Sequence, residues 1–334
     1  MKRIDVMPDG RSRRNPISLV AVSLTLVGVG LALAFGASGC KEQDPVAKAS
    51  PGPALTSPLR VTCTIGMIAD AVRTIGGEQV LVTALMGPHI DPHLYKATPA
   101  DHRALSESDL IFYNGLHLEG RMSDLFVQMA RKKPVIAVTQ NIKPELLREP
   151  PEFQGNFDPH VWFDVSLWMT AVEAIRDALI EHLPAHRESI LTRAGHYLDQ
   201  LSTLHSECKT KLSVIPKPQR VLVTAHDAFG YFGRAYDLEV LAIQGISTES
   251  EAGIKKMNDL VNMLVQRKIR AVFVESTVNP RSIEALVQGC SGRGHPIKIG
   301  GQLYSDAMGA AGTPEGTYLG MVRANVDVIV KALQ

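Results

Sequence analysis

Between Pro184 and Pro216 the chain reads PAHRESILTRAGHYLDQLSTLHSECKTKLSVIP. Prolines bracket the stretch, and neither belongs inside a helix, where proline loses a hydrogen bond and clashes with the preceding turn. Nothing between them alternates as a half-buried strand does. Instead Leu191, Ala194, Leu198, Leu201, His205, Cys208 and Leu212 recur at steps of three and four, which draws one narrow apolar stripe along a helix. At 1.5 Å per residue that helix is about 40 Å long. It is long enough to run the length of a two-lobed molecule rather than to cross over one sheet. The same stripe also fits a short coiled-coil dimer seam, and the pattern alone leaves both readings open.

Outside this stretch the pattern is different. Strand-like runs at 60–65, 80–86, 109–113 and 134–138 alternate with helix-like stretches at 66–76, 98–107, 119–131 and 166–183. After Pro218 the alternation resumes, with strands expected at 220–225, 239–243, 270–275 and 297–300 and helices at 227–236, 252–267, 280–290 and 315–333. Such alternation predicts mostly parallel sheets covered by helices. The expected fold class is therefore α/β, with two lobes at 60–183 and 218–334 joined by one long rigid helix within 184–217. A chain of 334 residues suits roughly two domains at about 150 residues each.

Composition excludes some functions. The formal net charge is +1 and aromatic residues make up 5% of the chain. There is no basic footprint for nucleic acid and little aromatic surface for stacking on single strands.

Residues 1–39 read as an export signal. Lys2, Arg3, Arg11, Arg13 and Arg14 form a positive start, and Ile17 to Phe35 is an uncharged apolar run followed by small residues. The run is also long enough to span a membrane, so a signal anchor is the alternative. Ala37-Ser38-Gly39-Cys40 resembles a bacterial lipoprotein signal box, although leucine is usual where Ala37 stands. That resemblance implies a lipidated Cys40 at the start of the exported protein. Residues 40–59, rich in Pro, Ala, Ser and Lys, then form a flexible tether. Cys63, Cys208 and Cys290 are not spaced like a zinc knuckle and are expected to be buried or singly paired structural residues.

The chemistry begins with a repeated tripeptide. Asp91-Pro92-His93 and Asp158-Pro159-His160 are each followed by an apolar residue and an aromatic one. Proline fixes its own φ and turns the residue before it away from helix, so both imidazoles are set up in the same way. His226 follows the strand-like run Val221-Leu222-Val223, and Asp306 follows Ile297-Lys298-Ile299-Gly300-Gly301. Ligands in open α/β sheets gather beyond the carboxyl ends of strands. Neutral imidazole is the commonest metal ligand, and three histidines with one aspartate make a candidate metal shell. With two residues from each lobe, the ion would sit between the lobes, a usual place for small-ligand sites. Taken singly, each position has a plainer reading: an exposed loop histidine at His93, a helix-entry loop at His160, a satisfied helix start at His226 and a helix cap at Asp306. His89 competes with His93 but lacks the Asp-Pro setting. His117 also follows a strand but is read, with the remaining histidines, as a non-ligand. Asp227 and Glu249 are candidates for outer-shell or surface roles.

The longer motifs carry a family likeness. DPHLY at 91–95, NGLHLE at 114–119, FDPHVWFDV at 157–165, VTAHDAFGYFGRAY at 223–236, QGISTESEAG at 244–253 and GGQLYSDAMG at 300–309 resemble the zinc- and manganese-binding solute receptors of bacterial ABC transporters, of the TroA type. The likeness runs from about Arg60 to the C-terminus. It implies two α/β lobes joined by a rigid long helix, with Zn2+ or Mn2+ held as transported ligand by His93, His160, His226 and Asp306. It also implies the permease membrane subunit and its ATPase as partners. Some manganese-preferring members have glutamate where His226 stands, and many zinc-specific members carry a His- and acid-rich loop that this chain lacks.

The expected function is capture of a divalent metal outside the cytoplasmic membrane by a monomer that is not an enzyme. A metal hydrolase needs an open water position, which four protein ligands on a tetrahedral ion do not leave. A surface adhesin or metal buffer without transport is the other reading. Because histidine must be neutral to bind a metal, affinity is expected to fall as the pH drops through about 6.5.

Overall fold

The computed structural model describes residues 57–334 apart from 154 and 250–252. The expected export signal, Cys40 and most of the tether lie outside the described residues. In chain order the first half runs β1 (Leu59–Cys63), α1 (Gly66–Gly76), β2 (Val80–Ala84), α2 (Pro99–Glu107), β3 (Leu110–Tyr113), α3 (Ser123–Ala130), β4 (Val135–Ala137) and α4 (Val165–His182). Then come α5 (Arg187–Ser213), β5 (Val221–Thr224), α6 (Gly230–Tyr236), β6 (Glu239–Ala242), α7 (Ile254–Arg267), β7 (Ala271–Glu275), α8 (Arg281–Ser291), β8 (Lys298–Leu303) and α9 (Tyr318–Leu333). The α/β alternation expected from the sequence is present, with element ends shifted by a few residues.

The first four strands form one parallel sheet in the order β2-β1-β3-β4. The chain leaves β1 first to one side and then to the other, so the loops beyond the carboxyl ends of β1 and β3 diverge and open a crevice. Glu119 closes the floor of that crevice. Its buried carboxylate accepts from Thr64 Oγ1 at 2.6 Å and from Asn114 N at 2.8 Å, and so staples the residues that follow β1 and β3.

The second half departs from one continuous sheet. β5 pairs with β6 and β7 with β8, all parallel, as two separate ladders. β5 still runs beside β7. Where their carboxyl ends meet, the tie is a side chain: the His226 backbone N–H donates to Glu275 Oε1 at 2.8 Å.

The long stretch is a single helix of 27 residues, α5. It packs against α1, α4, α6 and α9, so its apolar face is used inside the chain rather than as a dimer seam. That breadth of contact moves the stripe. Ala194, Leu201, Cys208 and Leu212 are buried as expected, but they are joined by Ile190, Tyr197 and Leu204, while Leu191, Leu198 and His205 are only half-buried. One apolar cluster runs from the first sheet through α1, α4, α5 and α9 onto one face of the second set of strands. A second cluster under α7 and α8 covers their other face. Cys63, Cys208 and Cys290 are buried free thiols within these clusters.

The shifted stripe makes a direct test. Leu204→Ala empties a fully buried site and should cost about 2–5 kcal/mol of unfolding free energy. Leu198→Ala, at the margin, should cost about 1 kcal/mol or less. Denaturant unfolding of both variants checks the order.

Candidate metal centre

The two Asp-Pro-His copies fold alike. In each, one aspartate oxygen accepts the backbone N–H of the histidine two residues on: Asp91 Oδ1 from His93 N at 2.9 Å, and Asp158 Oδ1 from His160 N at 3.0 Å. Aspartate commonly makes this turn, and the intervening proline has no N–H to compete. His93 thereby hangs in the loop after β2, and His160 stands just before α4 at the start of a short helical turn, Val161–Phe163. His226 follows β5 and Asp306 follows β8.

These four residues, far apart in sequence, converge. One ligand atom from each lies within 4.8 Å of all the others. His93 Nε2 is 3.2 Å from His160 Nε2. Asp306 Oδ2 is 3.2 Å from His226 Nε2 and 3.7 Å from His93 Nε2, and Asp306 Oδ1 is 3.4 Å from His160 Nε2. A tetrahedral ion with metal–ligand bonds of about 2.0–2.1 Å has ligand atoms about 3.3 Å apart, so the observed separations bracket a zinc-sized shell. His226 Nε2 and both Asp306 oxygens are buried without a well-aligned hydrogen bond. Buried polar atoms are rarely left so, and here all three point to the centre of the cluster. The donor set therefore fits a divalent ion chemically as well as geometrically.

Behind the shell, two of the three imidazoles have a partner that aims the lone pair. His160 Nδ1 lies 2.8 Å from Asp158 Oδ1, and His226 Nδ1 lies 2.5 Å from Glu275 Oε2. A carboxylate on Nδ1 keeps the proton there and leaves Nε2 free for a metal. Trp162 packs its ring edge-on to His160 with centroids 5.2 Å apart and donates Nε1–H to Ser305 O. Tyr318 holds the Trp162 carbonyl at 2.7 Å. Together they wall off the site beside Asp306.

The sequence offers Asp227 and Glu249 as candidates for outer-shell or surface roles. Glu249 is exposed and pairs with Arg121 at 3.0 Å. Asp227 is half-buried, and its backbone N–H donates to Gly245 O. Glu275 and Arg148 were missed. The signal for Glu275 was present as a charged residue closing the apolar strand AVFVE. Arg148 lies in an irregular loop with no pattern to mark it. Among the other histidines, His89 turns outward to Ser276 O at 3.0 Å. His117 is exposed and lines an open groove of about 450 Å³ with Tyr113, Phe126 and Phe157.

A family profile described as "Zinc-uptake complex component A periplasmic" (ZnuA) matches residues 61–332. The chain belongs to this family. It is 44% identical over 310 residues to the manganese-binding lipoprotein MntA of Bacillus subtilis, covering 92% of this chain and 99% of the relative. It is 49% identical over 276 residues to the zinc-binding protein TroA of Treponema pallidum, covering 83% of this chain and 89% of the relative. The solved structure of the Treponema pallidum periplasmic zinc-binding protein TroA superposes with a TM-score of 0.81 at 47% identity, covering 83% of this chain and 99% of that one. The ZnuA-family fold and the two-lobed α/β architecture thus agree with the geometry above.

The environment pushes the imidazoles in opposite directions. Burial is the largest influence on His93; Asp306 opposes it and His160 and His226 add to it, so the ring is pushed down to about 3. At His226 burial is again largest, but Glu275 and Asp306 together outweigh it and raise the ring well above its ordinary value. At Asp306 burial would raise the carboxyl, yet His226, His160 and His93 overcome it and hold it below the usual carboxylate range. The strongest proton competition is therefore expected at His226, whose ring is held above its ordinary value. A proton on the metal-facing nitrogen must leave before an ion binds. Metal affinity should therefore go on rising with pH above the ordinary imidazole range, with protons released on binding. Titration calorimetry in buffers of different ionisation enthalpy measures this, and Glu275→Gln should flatten the dependence.

Proposed function

We propose that this chain is an extracytoplasmic solute receptor that captures a divalent transition metal, zinc or manganese, and delivers it to the permease and ATPase of an ABC transporter. His93, His160, His226 and Asp306 are the ligands in this reading. The observation that carries it is the closure of four buried donor atoms to near-tetrahedral spacing, with His226 Nε2 and both oxygens of Asp306 lacking any aligned partner. The reading keeps the division into lobes at 60–183 and 218–334 around a connector at 184–217, and a monomer held to the membrane by lipid on Cys40.

Three nitrogens and one oxygen favour zinc over manganese at equilibrium by the Irving–Williams order. The names of similar proteins include manganese, zinc and, in one case, iron, and delivery in the cell follows availability as well as affinity. Enzymatic hydrolysis is disfavoured because four protein donors fill a tetrahedral shell and leave no position for an activated water. Capture and release instead need a closed shell whose donors come from elements that can separate.

The test loads the purified chain from residue 41 onward with equal zinc and manganese and measures bound metal by elemental analysis. One ion per chain is expected, mostly zinc. His93→Ala and Asp306→Ala should each weaken binding by more than the about 10–100-fold that outer-shell changes cost, while His117→Ala should leave it unchanged. Equal loading of all variants would remove the site. Cells lacking the protein should lose high-affinity metal uptake; unaffected uptake would leave a buffer or adhesin role in place of transport.

A further inference from the structure

Arg148 reaches the layer behind the imidazoles from the loop preceding His160. Its Nη1 donates to Asp158 Oδ2 at 2.5 Å, while Asp158 Oδ1 serves both His160 N and His160 Nδ1. The backbone repeats the link, with Asp158 N donating to Arg148 O at 2.8 Å. Asp158 is wholly buried and Arg148 only partly exposed. A carboxylate turns easily about its last torsion; with one oxygen on a guanidinium, the other is kept on the imidazole.

The same arginine is seated on α6. Arg148 N donates to Tyr231 Oη at 2.9 Å, and Tyr231 Oη in turn donates to Asp158 O at 3.0 Å. The guanidinium carbon lies 5.7 Å from the centre of the Tyr231 ring, within cation–π range. Gly230, just before Tyr231, leaves the room for it: a Cβ there would fall 1.2 Å from Nη1 and 2.0 Å from Cζ of Arg148. Both residues follow His226 closely in sequence, so helix α6 connects one histidine of the site to the support of another.

We propose that Arg148 is a positioning residue for His160, fixing the Asp158 carboxylate against the imidazole and making that hold depend on the seating of α6. The inference rests on the metal-receptor reading. Arg148 touches no ion; it sets which oxygen of Asp158 faces Nδ1 and therefore how firmly Nε2 is aimed.

Four variants of the full chain test it. Arg148→Met removes the guanidinium. Gly230→Ala keeps the arginine but pushes its flexible end off Asp158, at a position whose φ is not in the left-handed region and so accepts alanine. Arg148→Lys restores a charge, and His160→Ala reports on the metal site itself. The readouts are zinc affinity by chelator competition, the visible absorption of the cobalt(II)-loaded protein and the melting temperature without metal. Arg148→Met and Gly230→Ala should each weaken zinc by about 10–100-fold and alter the cobalt bands, Arg148→Lys should recover part of the loss, and Gly230→Ala should melt close to the parent. If Arg148→Met fails to fold, Gly230→Ala decides alone. Parent-like zinc affinity and cobalt bands in Gly230→Ala, or lost affinity with unchanged bands and a lowered melting temperature, overturn the proposal. His160→Ala binding zinc as the parent does would overturn the metal-receptor reading instead.

Discussion

A buried carboxylate with both oxygens unmatched is the constraint around which this molecule is arranged. Taking an ion of that size out of water costs several kcal/mol unless opposite charge and hydrogen bonds replace the solvent. Asp306 is almost wholly buried, and neither oxygen has an aligned hydrogen-bond partner. What it does have is a ring of three imidazoles. Against the effect of burial, Glu275 and Asp306 hold His226 well above its ordinary value. In the metal-receptor reading a divalent ion supplies the missing charge and satisfies the nitrogen lone pairs as well. The fold can tolerate such a costly centre because it is placed where strands end, and loop backbones there can be bent to need.

The surrounding architecture serves that placement. Parallel strands send all their carboxyl ends the same way, so residues following β2, β5 and β8 can meet although they are separated by scores of residues. The long helix α5 gives both halves one packing partner, and the apolar cluster that includes it is continuous from the first sheet to the second set of strands. A shared core limits how far the halves can separate without exposing apolar surface, at roughly 25 cal/mol for each Å². Movement at the site is therefore more economical in the loops that carry the ligands than in the packing of α5.

Much of this was legible in the sequence because it is local or periodic. The alternation of runs places the strands and helices, and the doubled Asp-Pro-His marks two imidazoles through a turn whose geometry follows from its three residues. His226 and Asp306 were readable because strand ends are where α/β folds present ligands. What was not legible depends on packing across the chain. The face of α5 that is buried is chosen by α1, α4, α6 and α9 together, so Ile190, Tyr197 and Leu204 enter where a single stripe predicts Leu191, Leu198 and His205. The division of the second set of strands into two ladders follows no feature of their sequences that we can identify. Glu275 and Arg148 act only through residues brought to them by the fold, and no spacing announces such partners.

The layer behind the ligands also bears on which ions suit the site. Two of the three imidazoles rest on carboxylates, Asp158 and Glu275, and the third ring stands free of one. With Asp306 these place three carboxylates in contact with the shell or its support; Asp91 adds a fourth on the His93 backbone, and the Arg148 guanidinium sits on Asp158. In the metal-receptor reading this buried excess of negative charge favours a multivalent cation. A monovalent ion would leave more of it uncompensated in a medium that screens weakly. The nitrogen-rich donor set and near-tetrahedral spacing then act among such cations. Arg148, which touches no donor atom, enters this balance through the carboxylate that supports His160.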